Sequence, residues 1–418
     1  MRPVTATEPV ATNLPAAVSG RIPRTFFNPR VTDNITGWLF VSPAVLLIFI
    51  FGLFPIGYAF YMSLHTWRIR QGAFLCDAEA GDLILYVRSC LKHYETVVLG
   101  DWGGAALFVV GLVSLLVAYL VWTRLFGSRS ETPFALLRIG AGLVIMAVAF
   151  ALISEGYNTM ISALPKRDQG FLNGLQITLY YAFGAIPLQL ILGLLLAYVL
   201  FHRVKAKSVF RTIFFLPYVT PTVAAAVVFG TVFSGRATSP MNQLMSSFGW
   251  DVQRWLAEPK PFLNVVFGWD LQGFLAGPSM ALVCVIIQGV WTYTGYNAVI
   301  FMAGLGNIPA DLYEAARVDG ASEWHLFRYI TLPLLSPVTF YLSILGFIGT
   351  FTAFNTLFVM RSPATQGTLD TSALVIFDTF REQNRWAEAT AQAIILMLLV
   401  LAMTQIQRSL FEKRVFYG

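Results

Sequence analysis

Eight apolar runs, each near or above the ~20 residues needed to cross a hydrocarbon core, alternate along the chain with polar, charge-bearing stretches. They fall at about 37–64, 103–124, 134–156, 171–201, 209–234, 278–305, 334–360 and 389–408. The pattern predicts an all-α membrane protein of about eight transmembrane helices, with both termini on one side. It divides the chain into a polar tail (1–36), a first span (37–64), an outer loop (65–102), an apolar hairpin (103–156), a membrane core (171–410) and a short C-terminal tail (411–418). The first run contains Pro43 and Pro55, which neighbouring helices can accommodate in a membrane. The tail before it is long and basic and the run is a full span, so it reads as a retained helix and not as a cleaved signal peptide.

Short loops set the orientation, because Lys and Arg stay on the cytoplasmic side. Arg203, Lys205, Lys207 and Arg211 lie between the fourth and fifth runs, and Arg124, Arg129 and Arg138 flank the turn between the second and third. Arg408, Lys413 and Arg414 mark the C-terminus. All share a side with Arg2, Arg21, Arg24 and Arg30 of the tail, which predicts both termini in the cytoplasm. The outer loops 65–102, 157–170, 235–277 and 361–388 carry Trp250, Trp255, Trp269 and Trp386. Those residues suit an interfacial belt or a docking surface.

Composition narrows the class further. Apolar residues make up 56% of the chain and charged residues 12%, against about 25% charged in soluble domains, and the mean hydropathy is +0.66. The net charge of +6 follows the positive-inside pattern, and no basic stripe with interleaved aromatics points to nucleic acid. Cys76, Cys90 and Cys284 make neither a disulfide framework nor a metal-ligand spacing. Cys76 and Cys90 share one outer loop, where a disulfide and two free thiols both fit. His65, His93, His202 and His325 are scattered, and no G-x-x-x-x-G-K-[ST] phosphate loop occurs. The chain is expected to hold no metal or cofactor and to hydrolyse no ATP by itself.

Between the sixth and seventh runs, residues 307–337 read as two short helices joined at a glycine. Pro309 suits a first helical turn, residues 312–318 are good helix formers, and Gly320 can end that helix by turning left-handed. Ser322 can cap a second helix, with Trp324, Phe327 and Ile330 at helical spacing and Pro333 as its stop. A plain turn between two membrane helices would also account for this spacing.

The core spans carry no Asp, Glu, Lys, Arg or His away from their ends. Ion-coupled carriers usually keep such a group in the membrane, although backbone carbonyls can bind Na⁺. Uncharged polar residues cluster instead at 291–297 (WTYTGYN) and at 350–356 (TFTAFNT). Asn, Thr and Tyr can meet sugar hydroxyls, and aromatic faces can meet sugar rings. Helix packing with local hydrogen bonds would use the same residue types.

Glu314-Ala315-Ala316, then Asp319-Gly320-Ala321-Ser322 and Ile330-Thr331-Leu332-Pro333, resembles the EAA loop (here 307–333) of permease subunits in binding-protein-dependent ABC importers. The nearest branch handles maltose-like, other oligosaccharide and glycerol-phosphate substrates. The likeness extends more weakly over 171–410, where Phe214-Phe215-Leu216-Pro217 resembles the family's F-F-L-P segment. That segment is expected to kink or position its helix without touching substrate. The resemblance implies a type I ABC importer permease core of six helices. The family's stretch leading to the second core span is matched at 91–95 and resumes only at 170–174, so the hairpin 103–156 reads as an inserted pair facing lipid.

In that family the loop is the coupling helix seated in a cleft of the ATPase subunit. Glu314, Ala315, Ala316, Asp319 and Gly320 are therefore the implied ATPase-coupling residues. From Trp291 to Glu314 the spacing matches maltose-type permeases without a gap, and positions equivalent to Thr292, Tyr293 and Tyr296 face the sugar there. Asn297, Thr352, Asn355 and Thr356 complete the candidate substrate path. Positions equivalent to Gly349, Ala353 and Thr356 are polar or sugar-facing in maltose permeases, and two of these have lost their polarity here, which argues against maltose itself.

The resemblance thus implies a non-catalytic subunit forming half of an ATP-driven carbohydrate importer in a bacterial cytoplasmic (inner) membrane. The implied partners are a second homologous permease, two ATPase subunits that bind the ATP and Mg, an extracytoplasmic sugar-binding protein, the carbohydrate and the lipid bilayer. The alternative is a stand-alone secondary solute carrier. A non-transporting scaffold or sensor would need no polar pathway in its spans.

Overall fold

The computed structural model describes residues 29–68, 71–74, 83–95, 97, 106–108, 110–111, 113–115, 135–163, 170–202, 207–271, 273–365 and 367–411. The chain divides into two units, Met1–Tyr58 and Ala59–Gly418. In the first, α1 (Pro29–Ile48) runs through a π turn at Phe49–Leu53 into α2 (Phe54–Ser63). Pro55 follows that π turn directly. A proline ring crowds the carbonyl four residues before it, here that of Phe51, and the wider turn relieves the crowding.

Among the described residues, five helices are long and apolar enough to cross a membrane: Thr36–Ser63, Leu143–Ser162, Gly170–Phe201, Met280–Gly306 and Trp386–Ser409. Two bent pairs, Ser208–Val219 with Thr222–Val232 and Glu323–Leu334 with Ser336–Phe351, bring the number to seven if each is one span. A shorter apolar helix at Ala106–Leu115 stands where the remaining span is expected; 116–124 lies outside the described residues. Among the described residues, the one departure from an all-α chain is a small antiparallel ribbon after α2, β1 (His65–Arg68) with β2 (Gln71–Phe74), pairing His65 with Phe74.

The helix α3 (Ala135–Ala163) continues past 156, where the hairpin was expected to end. Tyr157, Met160 and Ile161 recur at helical spacing, so the helix extends as an amphipathic stretch after the apolar run stops. Those residues pack on Leu172, and the Tyr157 hydroxyl donates to the Leu172 carbonyl at 2.7 Å.

The second unit is built around α4 (Gly170–His202) and α7 (Met280–Gly306), which pack along their length. A Cβ added at Gly184 would meet Ile286, one at Gly193 would meet Asn297, and one at Gly306 would lie 4.0 Å from Phe201. The contacts advance together along both helices, so α4 and α7 are parallel. Small residues let the two backbones approach. Between them in sequence, α5 (Lys207–Val219) and α6 (Thr222–Val232) meet at 90° across Thr220 and Pro221. Pro221 removes an amide and disfavours helix in the residue before it. Pro217 of the F-F-L-P segment lies inside α5 and does not mark the bend.

After α7 the chain forms α8 (Ala310–Val318) and then a helix that starts at Glu323. Pro333 does not stop that helix, contrary to expectation. A π turn at Phe327–Thr331 holds the carbonyl that Pro333 would crowd, and the break comes at Leu335 with a 60° bend. There α9 (Ser336–Phe351) begins and returns antiparallel, with Leu335 and Val338 beside Gly304, and Gly346 beside Ile186 and Gln189. The run expected to be continuous to 360 is interrupted at Thr352–Phe354 before α10 (Asn355–Met360). The last two helices are α11 (Ser372–Arg381) and α12 (Trp386–Phe411). After α10, Arg361 joins it to α11, donating to Asp370 at 3.2 Å and to Asp378. The Asp378 carboxylate, bonded to the guanidinium, pushes the Arg361 pKa up. Cys90 is disulfide-bonded and Cys284 is a free, buried thiol; Cys76 lies outside the described residues.

Candidate substrate pathway and coupling loop

Helical spacing sorts the 291–297 cluster onto two faces of α7. Thr292, Tyr293, Tyr296 and Asn297 line a cavity of about 400 Å³ enclosed by α4, the α5–α6 bend, α7, α9 and the break before α10. Trp291, Thr294 and Gly295 line a separate, apolar hollow with Leu192, Phe214 and Pro217. From the second cluster, Thr352, Asn355 and Thr356 reach the first cavity, with Gly349, Thr350, Ala353 and Phe354 beside them. All seven candidate path residues thus face one space.

Two of them, Thr292 and Thr352, are held by their local backbone. Thr292 is buried, donates to the Gln288 carbonyl at 3.0 Å and accepts from Gln288 Nε2 at 3.0 Å. The Thr352 hydroxyl returns to the Ile348 carbonyl at 2.9 Å, closing the end of α9. Asn297 is 4% exposed, and its Nδ2 has no hydrogen-bond partner among the described residues. A buried amide donor without a partner costs ~1–3 kcal/mol. Tyr218 stacks on Tyr296 with ring centroids 4.5 Å apart and meets Tyr293 edge-on at 5.8 Å.

Sequence reasoning missed Gln189, Gln288, Tyr181, Tyr218 and Thr222, which also line the cavity. Gln288 precedes Thr292 by one helical turn, a spacing that could have flagged it. Tyr218 and Thr222 arrive only through the bend at Thr220–Pro221. Tyr181 and Gln189 arrive through the parallel pairing of α4 with α7, for which no local signal exists. Non-helical backbone is tolerated in a membrane where it lines a cavity, as Thr352–Phe354 does, while the Thr220–Pro221 bend brings its flanking residues Tyr218 and Thr222 to the same cavity.

Tyr296 lies ten residues before the end of α7, roughly 15 Å along the axis at 1.5 Å per residue. Beyond that end sits α8, built as its sequence predicts. Pro309 precedes it, and Gly320 at φ 82° closes it. The Ala321 amide bonds to the Ala316 carbonyl at 2.9 Å and that of Gly320 to Arg317 at 3.0 Å, the paired bonds of a glycine-terminated helix. Ser322 accepts from the His325 amide and caps the next helix. Tyr313 and Thr331 share a hydrogen bond of 3.0 Å, which ties α8 to that helix. Glu314, Ala315, Asp319 and Gly320 are exposed and Ala316 is half-buried. Val318, Trp324 and Tyr329 project from the same segment, 88%, 66% and 70% exposed.

Residues 189–417 match the family described as binding-protein-dependent transport system inner membrane component. A probable ABC transporter permease protein of Pyrococcus horikoshii is 31% identical over 52% of this chain and 68% of its own length. The arabinooligosaccharides transport system permease protein AraP of Bacillus subtilis is 30% identical over 57% and 71%. The lactose transport system permease protein LacF of Rhizobium radiobacter is 26% identical over 77% and 96%. Among solved structures, a bacterial ABC transporter involved in the import of the acidic polysaccharide alginate has a chain with this fold. Its TM-score is 0.51 at 20% identity, covering 62% of this chain and 82% of that one.

Proposed function

This chain belongs to the family of binding-protein-dependent transport system inner membrane components, and from that premise we propose that it is one half of an ATP-driven sugar importer. Relatives named for arabinooligosaccharide and lactose transport support a carbohydrate cargo. The observation that carries the reading is the cavity of uncharged polar and aromatic side chains, buried at mid-helix above an exposed loop. Sugar hydroxyls are met there by amides and hydroxyls, and a ring face by Tyr296 or Tyr293.

The partners in this reading are those the family implies. The sequence has no phosphate loop, and ATP and Mg are assigned to two separate ATPase subunits. Val318, Trp324 and Tyr329 are apolar anchors on the exposed loop, of the kind that fill a partner's pocket. A second permease completes the pathway, and an extracytoplasmic binding protein delivers the sugar. The loop side is cytoplasmic, together with both termini. ATPase closure would then move α8, about 14 Å long, as one rigid lever and switch the pathway. The test is co-purification. A tagged chain is expected to bring down the ATPase subunits, and replacing Val318 and Trp324 by Asp is expected to release them while the permease still inserts. Retention of the ATPase by the double variant would contradict the docking role.

A further inference from the structure

We propose that the stacked pair Phe267 and Trp269 anchors the chain in the headgroup layer of the bilayer, on the membrane face opposite the loop 307–333. The inference needs only that the chain lies in a membrane, as its family does, and is independent of the cargo.

The pair sits on a loop closed at its neck. The Phe262 amide bonds to the Pro278 carbonyl and the Met280 amide to that of Lys260, both at 2.9 Å, so the chain leaves and returns beside the start of α7. A short helix, Phe262–Phe267, ends at Gly268 with φ 68°. Just beyond, the Asn264 side chain accepts from the Leu271 amide at 3.1 Å and donates to its carbonyl at 2.9 Å. Phe267 and Trp269 are thereby fixed on either side of one turn, with ring centroids 5.1 Å apart and planes 25° from parallel. They are nonetheless 57% and 53% exposed. Two large aromatic rings that the fold orders but leaves uncovered face something outside the chain.

Two markers set their depth. Phe262, Val265 and Val266 pack on the cluster that holds Met280 and Cys284, in the first turn of α7. That helix of 27 residues is about 40 Å long at 1.5 Å per residue, against ~30 Å of hydrocarbon. Its first turn, at the end away from the loop 307–333, therefore emerges among the headgroups. The second marker is α3. Val144, Val148, Glu155, Asn158 and Ser162 share one exposed face of that helix, which changes from apolar to polar between Val148 and Glu155. Asn158, about one turn past Glu155, adjoins the loop: a Cβ at Gly273 would lie 3.3 Å from its Nδ2. Both markers put the loop where hydrocarbon gives way to headgroups. Tryptophan and its neighbours are favoured at that level, because an apolar ring enters the acyl boundary while the indole N–H stays in the polar layer. A pocket on a partner protein could also take such a pair, but would not require this depth.

The test uses the full chain, with the subunits that co-purify, in vesicles of phosphatidylethanolamine and phosphatidylglycerol. Phe267→p-benzoylphenylalanine keeps an aromatic side chain and adds a photoreactive ketone. Irradiation is expected to attach one phospholipid to the chain, read as a mass shift. The emission of Trp269 is taken as that of the wild type minus that of Trp269→Phe. It is expected to be quenched at least twofold more by phospholipid brominated near the headgroup end of its acyl chains than by aqueous iodide. Absence of a lipid adduct overturns the proposal, and an adduct to a partner protein in its place makes the pair a protein-docking site. Quenching by iodide equal to or above that by the brominated lipid overturns it too. Should Trp269→Phe fail to insert, the cross-link decides alone.

Discussion

Gly295 has no room for a side chain: a Cβ there would stand 1.7 Å from the Phe214 carbonyl oxygen. Backbone cannot yield as a rotamer can, so Gly295→Ala must part α5 from α7 and carry Tyr218 away from Tyr296. Overpacking of this kind typically costs ~1–3 kcal/mol or more. Thermal unfolding in detergent is expected to show the loss, with uptake falling as well. An unchanged melting temperature would contradict close backbone packing of α5 on α7 at Gly295. Tyr296→Ala removes a stacking face without crowding its neighbours. Loss of such a contact costs ~1–3 kcal/mol, or about ten- to a hundredfold in apparent affinity. Uptake is expected to fall while assembly and basal ATP hydrolysis persist, and normal uptake would place the sugar elsewhere. Outside the spans, burial lowers the His93 pKa from its ordinary 6.5, with the charges of Arg385 and Lys92 adding and a bond to the His65 backbone opposing. The fold therefore favours neutral His93. Its contribution is present above about pH 6.5 and is lost as pH falls through that value towards the lowered pKa. His93→Gln is expected to lose less melting temperature than wild type between pH 7.5 and 5.5. Equal losses would assign the acid sensitivity to other groups.

At the scale of elements, the shape of the loop 307–333 was legible because its signals are local. A proline before α8, a glycine after it and a serine cap each act within a few residues, and the backbone at Gly320 is left-handed as Gly requires. Pro333 misled because a proline's effect depends on the turn before it, and the π turn at Phe327–Thr331 has no sequence mark of its own. The two breaks at Thr220–Pro221 and Thr352–Phe354 were read as parts of continuous spans for a similar reason. Hydropathy counts apolar residues and is blind to where a ladder of hydrogen bonds is interrupted. Gly320→Val places a β-branched residue at φ 82°, at a cost of at least ~1 kcal/mol to the loop. The ATPase subunits are expected to dissociate or to hydrolyse ATP without sugar stimulation, although the permease still inserts. Survival of both co-purification and stimulated hydrolysis would show that the loop does not couple.

Over the whole molecule, spans and loops were readable from apolar run lengths, but the pathway depends on which helices pair. Thr292, Tyr293 and Tyr296 could be placed by their spacing on one helix. Gln189 and Tyr181 could not, because the residues of α4 and α7 that meet lie about a hundred positions apart in sequence and do so through small side chains that hydropathy does not weigh. The same topology sets the cavity over the exposed loop 307–333, and the function proposed for it is that ATP hydrolysis on one face drives sugar movement through the chain. The direct measurement is sugar accumulation in vesicles holding the complete complex, with and without ATP and binding protein, compared with this chain alone under a sodium or proton gradient. Accumulation is expected only when ATP, binding protein and the ATPase subunits are all present. Gradient-driven accumulation by the chain alone would contradict the account and establish a stand-alone carrier.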